Sequence, residues 1–168
     1  ESTSRLNWSL YNYFRSTNKS LENFSDKHPL IIFDNIHSTH THTSPSILDV
    51  LSIKANNDNI LKIASDHIRY PLIDILNQAS INTIIYSNQG KSGAWNLSSS
   101  LLFKNAYKKI YNSKYNLGNA DHLDRDKPYE HEFLEKLIED IKTSSKKNNF
   151  YIFHSYAGHG NYKDNIPK

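Results

Sequence analysis

The segment Ile81-Asn82-Thr83-Ile84-Ile85-Tyr86 restricts the fold more than any other in this chain. It is β-branched and apolar, with no Gly or Pro, and is predicted to be a central strand. The loop Ser87-Asn88-Gln89-Gly90-Lys91-Ser92-Gly93 follows directly at its carboxyl end. The neighbouring segments alternate in kind. Leu30-Ile31-Ile32-Phe33, ending in Asp34-Asn35, is predicted to be a buried strand. Pro45 fits the first turn of a helix. Tyr70 to Ala79 is predicted to be a second helix, with Leu72, Ile73, Ile75 and Leu76 on one face. Ala106 to Tyr111 is a further strand candidate. Tyr129 to Lys147 is the clearest helix, because Phe133, Leu134, Leu137, Ile138 and Ile141 recur at helical spacing. Phe150-Tyr151-Ile152-Phe153 is the last strand.

Strands alternating with helices define an α/β domain, with a mainly parallel sheet and helices on both faces. Residues 1 to 20 lack clean periodicity and are expected to form a structured loop, with a short helix from Thr17 to Phe24. Ligands of such sheets gather at the carboxyl ends of the strands. Three polar loops are expected there, after Phe33, after Tyr86 and after Phe153.

At 168 residues the chain is one domain or part of a larger one. Its net charge is only +3 and its charges are mixed, which argues against a dedicated nucleic-acid binder. No run of about 18 apolar residues occurs, so no membrane span is expected within the chain. No signal peptide is recognisable either. The absence of Cys excludes disulfides and thiolate metal sites without deciding the compartment. Opening on Glu1 without Met, and closing on Asn165-Ile166-Pro167-Lys168, the chain reads as an excised piece of a longer polypeptide.

Chemistry concentrates around His37-Ser38-Thr39-His40-Thr41-His42-Thr43-Ser44-Pro45. Thr43 or Ser44 is expected at the N-cap, and Ile47, Leu48, Val50 and Leu51 hold the helix against a core. A helix N-terminus carries unpaired N–H groups and about half a positive charge, and so attracts phosphate-like anions. A hydroxyl there, with imidazoles just upstream, suits a nucleophile for phosphoryl transfer. The same pattern also describes an ordinary cap after a polar loop.

His37, His40 and His42 form one cluster of the nine histidines, while His154 and His159 flank the loop after the last strand. Imidazole binds zinc, donates to phosphate oxygens or moves protons. Alternating histidines in a loop lack fixed geometry, so solvated or substrate-facing roles are favoured over a metal site for the first cluster. Asp66-His67 and Asp121-His122 are chance dipeptides on the same reasoning. Gly90-Lys91-Ser92-Gly93 ends like a phosphate-binding loop, but Ile85 stands where the Walker spacing needs Gly. Lys91 is either an anion contact or a solvated loop residue.

Glu1-Ser2-Thr3-Ser4-Arg5, Ser9-Leu10-Tyr11, Tyr13, Arg15 and Thr17 resemble the opening of the catalytic domain of bacterial phosphoethanolamine transferases, in the alkaline phosphatase and sulfatase superfamily. The family pattern is roughly Gly-Glu-Ser-x-x-Arg-x-His-x-Ser-Leu-Tyr-Gly-Tyr-x-Arg-x-Thr-x-Pro, and it runs without a gap from Glu1 to Lys19. The turn into the Pro45 helix, Ser87-Asn88-Gln89 and His154-x-x-x-Gly158-His159 also look similar, so the resemblance spans essentially the whole chain. It implies an alkaline phosphatase-like fold, with residues 1–168 forming a partial catalytic domain. It implies Zn2+, with Glu1 as a ligand and Thr43 as both nucleophile and ligand. Thr43 stands nine residues before Ser52, as the family's spacing requires; Thr41 is the runner-up. His154 and His159 match the residues that hold the phosphoethanolamine group, and Asn88, Gln89 and Lys91 lie where the family has substrate-facing residues.

The chain departs from the pattern at Asn7 for His, Asn12 for Gly and Lys19 for Pro. Asn12 fits if that position is left-handed, a region Asn enters more readily than most residues. The family's downstream Ser-Asp-His-Gly-Glu motif, which completes the zinc site, is absent. The chain thus holds half of a metal site, and the isolated piece is expected to be inactive and prone to association. The resemblance further implies a phosphatidylethanolamine donor, a lipid A or lipopolysaccharide core acceptor, membrane helices before Glu1 and a periplasmic location. Two other readings remain: a sulfatase- or phosphatase-like hydrolase, and a non-enzymatic His-rich metal-binding module.

Overall fold

The computed structural model describes residues 4–54, 69–89, 91, 97–111, 130–145 and 147–156. In chain order its helices are α1 (Lys19–Ser25), α2 (Thr43–Val50), α3 (Leu72–Gln78), α4 (Leu97–Leu102) and α5 (Glu130–Thr143). Its strands are β1 (Ser52–Lys54), β2 (Arg69–Pro71), β3 (Asn82–Ser87), β4 (Lys108–Tyr111) and β5 (Asn149–His154). The main sheet has the order β4-β3-β5 and is parallel throughout. β1 and β2 form a separate antiparallel pair, with Ile53 opposite Tyr70.

β3 is the centre of the molecule, as its sequence predicts. Its alternate side chains serve two cores. Ile85 packs with Ile73, Leu102, Phe103 and Ala106, and α2 adds Ile47, Leu48 and Leu51 to that face. Ile84 and Tyr86 pack on the opposite face with Phe133 and Leu137 of α5. Helices therefore cover both faces, and each fully buried Ile contributes about 1.5–3 kcal/mol. Lys108 Nζ also reaches Asp140 Oδ1 at 2.7 Å, pinning edge strand β4 to α5.

Several expected boundaries move. Leu30-Ile31-Ile32-Phe33 is not a strand but an exposed segment without regular secondary structure, with Ile31 at 79% and Phe33 at 60% exposure. No strand among the described residues pairs with it, and an apolar run without a ladder partner gains nothing from strand geometry. The Tyr11 hydroxyl donates to the Phe33 carbonyl at the end of this segment. The polar loop after Phe33 therefore does not sit on a strand end. Tyr70 and Pro71 belong to β2 rather than to α3, which begins at Leu72 because Leu51 accepts its N–H at 2.8 Å. α5 stops at Thr143. Only Phe133 and Leu137 of its apolar stripe are buried, while Leu134, Ile138 and Ile141 remain exposed.

The opening block is a hydroxyl-stapled turn. Ser9 and Thr17 exchange hydrogen bonds, each hydroxyl accepting from the other's N–H at 3.0 and 3.1 Å. The Thr17 hydroxyl also donates to the Asn7 carbonyl at 2.6 Å. Asn12 ends the second 3-10 turn with φ 67° and ψ 22°, the left-handed conformation that explains Asn where the family has Gly. Ser80 is also left-handed, at φ 59°. It closes α3 in a Schellman arrangement, with Ile81 N–H on the Leu76 carbonyl and Ser80 N–H on the Asn77 carbonyl.

Candidate functional site

The start of α2 differs in detail from expectation. His42 is the N-cap, in extended conformation and without a side-chain cap bond, and Thr43 is the first helical residue. Pro45 stands third, still within the turn where a missing N–H costs nothing. The Ser46 hydroxyl turns back to the His42 carbonyl at 2.8 Å and fastens the approach loop. The Ser44 hydroxyl donates to Ser98 Oγ at 2.7 Å, tying α2 to α4. Ser52, nine residues beyond Thr43, is buried, and its hydroxyl donates to the Leu48 carbonyl.

Asp49, the penultimate residue of α2, gathers the approach loop. Its carboxylate meets His40 Nε2 at 3.0 Å and Arg69 Nη2 at 2.7 Å. The Thr39 hydroxyl and the Arg69 guanidinium hold the Asp49 carboxyl below the usual carboxylate range. The histidine cluster is thus divided: His37 contacts Asn35, His40 contacts Asp49, and His42 contacts the Thr41 hydroxyl. No group of three or more His, Asp or Glu among the described residues could hold a metal ion. Glu1 lies outside the described residues, as do His159, His67 and His122. The described donors therefore do not assemble a complete zinc site. Thr43 is the one expected zinc ligand among them.

The loops after β3 and β5 do meet. Ser87 and His154 are register partners, and Ser87 Oγ lies 3.0 Å from His154 Nδ1. Asn88 N–H donates to the His154 carbonyl at 2.9 Å, continuing the ladder past the strand ends. Gln89 Nε2 donates to the Ser155 carbonyl at 3.0 Å. Asn88, 3% exposed, turns its amide to Glu130 Oε2 at 2.7 Å. Lys91 is exposed on the same loop. Burial pushes the neighbouring Tyr86 hydroxyl up to about 12, so it stays neutral and is no base at physiological pH.

A cleft of about 250 Å3 joins these parts. Ser46 and Ile47 of α2 and Leu51 just beyond it line the cleft together with Phe103 and with Ile152 and His154 of β5. The first turn of α2 and the carboxyl end of the sheet therefore open onto one space. The structure brings together Asn88, Gln89 and His154, and places Thr43 on the helix that faces His154. Glu130 and Asp49 had no local signal in the sequence: their partners lie in other elements.

A parallel sheet covered by helices on both faces, with α2 and the strand end at His154 bordering one cleft, defines an α/β domain. The chain matches the sulfatase family over residues 1–168, and it belongs to that family. It is similar to the crystal structure of the C-terminal periplasmic domain of EcEptC from Escherichia coli in complex with Zn, at TM-score 0.75 and 22% identity. That match covers 100% of this chain and 44% of the other. A second crystal structure of the same domain gives TM-score 0.76 at 21% identity, covering 99% of this chain and 43% of the other. The chain thus spans less than half the length of these structures. No curated protein sequence is significantly similar to it. Among the described residues, no helix is long and apolar enough to cross a membrane.

Proposed function

We propose that the chain is part of the catalytic domain of a phosphoethanolamine transferase. The donor is phosphatidylethanolamine and the acceptor a lipopolysaccharide, on lipid A or a core sugar. The observation that carries this reading is a cleft shared by α2, the helix that begins at Thr43, and His154 at the carboxyl end of a sulfatase-family sheet. Similarity to a periplasmic domain supports a site of action on the periplasmic face of the inner membrane, with the membrane segment outside this chain.

Thr43 is the proposed nucleophile. Its Oγ1 forms a bond to the donor phosphorus as the bond from phosphorus to the diacylglycerol oxygen breaks. The leaving oxygen takes up a proton, for which His154 or His159 is placed by the proposal, and a phospho-threonine remains. An acceptor hydroxyl or phosphate oxygen then takes the phosphoethanolamine group and frees Thr43. The positive end of α2 stabilises charge gathering on the phosphoryl oxygens. Asn88, Gln89 and Lys91 are proposed to line the substrate side. Glu1 and Thr43 are the residues of this chain that would hold Zn2+, and bound zinc lowers the pKa of a hydroxyl it touches.

Family membership also fits a hydrolase in which water replaces the acceptor. Labelled phosphatidylethanolamine given to the intact parent protein with lipopolysaccharide separates the two. Label on the lipopolysaccharide supports transfer, and release of free phosphoethanolamine supports hydrolysis. Thr43→Ala is expected to stop either reaction with circular dichroism unchanged. Full turnover by Thr43→Ala would remove the nucleophile assignment.

A further inference from the structure

Glu130 is the first residue of α5, and its carboxylate serves two chain segments at once. Oε2 accepts from Asn88 Nδ2 at 2.7 Å, in the loop after β3. Both oxygens lie 3.2 Å from the Tyr156 backbone N, in the loop after β5. These loops carry Gln89 and Lys91 on one side and follow His154 on the other. A carboxylate at a helix N-terminus is favoured by the macrodipole, so the charge is stable there. Hydrogen bonds to an ionised acceptor are about twice as strong as neutral ones. The positive end of α5 is thereby spent on an internal carboxylate.

We propose that Glu130 is a positioning residue. It locks the Asn88 and Tyr156 loops together and so fixes Gln89 relative to His154 in the substrate site. This role rests on the transferase reading, because only that reading makes these loops substrate-facing. The Asn88 amide that donates to Glu130 thus sets the course of the loop that carries Gln89.

The test is a carboxylate–amide swap. Asn88→Asp sets two carboxylates face to face. Adding Glu130→Gln lets the new amide donate to residue 88 while its oxygen still accepts from Tyr156. Two measurements are made: hydrogen exchange at the Tyr156 amide, and KM and kcat of the intact parent protein for labelled phosphatidylethanolamine with lipopolysaccharide. Asn88→Asp and Glu130→Ala are both expected to speed exchange, and Glu130→Ala to raise KM about tenfold with kcat within about threefold of native. The double variant is expected to recover most of the exchange protection that Asn88→Asp loses. Unchanged exchange in Asn88→Asp overturns the clamp whatever the enzyme does. Faster exchange with native KM overturns the positioning role. Should Glu130→Ala fail to fold, Glu130→Gln and the rescue pair still decide the matter. An intact parent protein that transfers nothing, with Tyr156 exchange still slowed by Glu130, overturns the transferase reading and upholds the clamp.

Discussion

Ser87 and His154 end adjacent parallel strands in register, with Ser87 Oγ 3.0 Å from His154 Nδ1. Because facing residues of a parallel pair share a sheet face, both side chains stand on the face covered by α2 and α4. Phe103 meets the imidazole edge-on at 6.2 Å between centroids, so the ring is held by a hydroxyl and a packed aromatic together. An imidazole held this way keeps its orientation when a substrate arrives.

Ser87→Ala is expected to keep the fold and lower kcat/KM about tenfold, while His154→Ala lowers it by about 10²–10⁴. Steady-state assays with labelled phosphatidylethanolamine check the order. Equal losses would mean that the hydroxyl does more than orient the ring.

Asp49 gives a pH dependence of stability. Its folded pKa lies below the unfolded value, so the contribution is complete above about pH 4, the unfolded Asp value, and is lost as pH falls through the lower folded value. Thermal midpoints of the native protein and Asp49→Asn should differ by a constant amount near neutrality. The difference should shrink as pH drops below that of unfolded Asp. A difference that grows in acid would contradict the sign.

Ser80→Gly is expected to stabilise the protein by about 0.5–1 kcal/mol, because the left-handed cap of α3 penalises a Cβ. Urea denaturation measures this directly. Ser80→Val should destabilise by a similar or larger amount.

Ile85→Ala is expected to cost about 2–5 kcal/mol, since Ile85 is fully buried between β3's neighbours and the α2–α4 layer. The loss appears in the urea midpoint. Ile31→Ala, at an exposed position, is expected to change stability by no more than about 0.5 kcal/mol.

The β3 strand was legible because Ile84 and Ile85 satisfy both cores, and such a run has few other places to go. Phe133 and Leu137 were legible for the same reason at helical spacing. Leu30-Ile31-Ile32-Phe33 misled because apolarity makes a strand only where another strand offers its N–H and C=O groups. The cap of α2 shifted by a residue because His42 can take extended geometry, while the helix start is fastened by Ser46 and Ser44 from inside the turn.

Residue types and spacing alone set the α/β class, the central strand, the helix bearing Thr43 and the family membership, since short-range periodicity and local motifs encode all four. Only the tertiary structure decided that His40 belongs to Asp49 and Asn88 to Glu130. His40 reaches Asp49 by the fold-back of the approach loop along α2, whereas Asn88 and Glu130 come from elements brought together by burial of the sheet, and a hydrogen bond between side chains 42 positions apart leaves no trace in either local sequence.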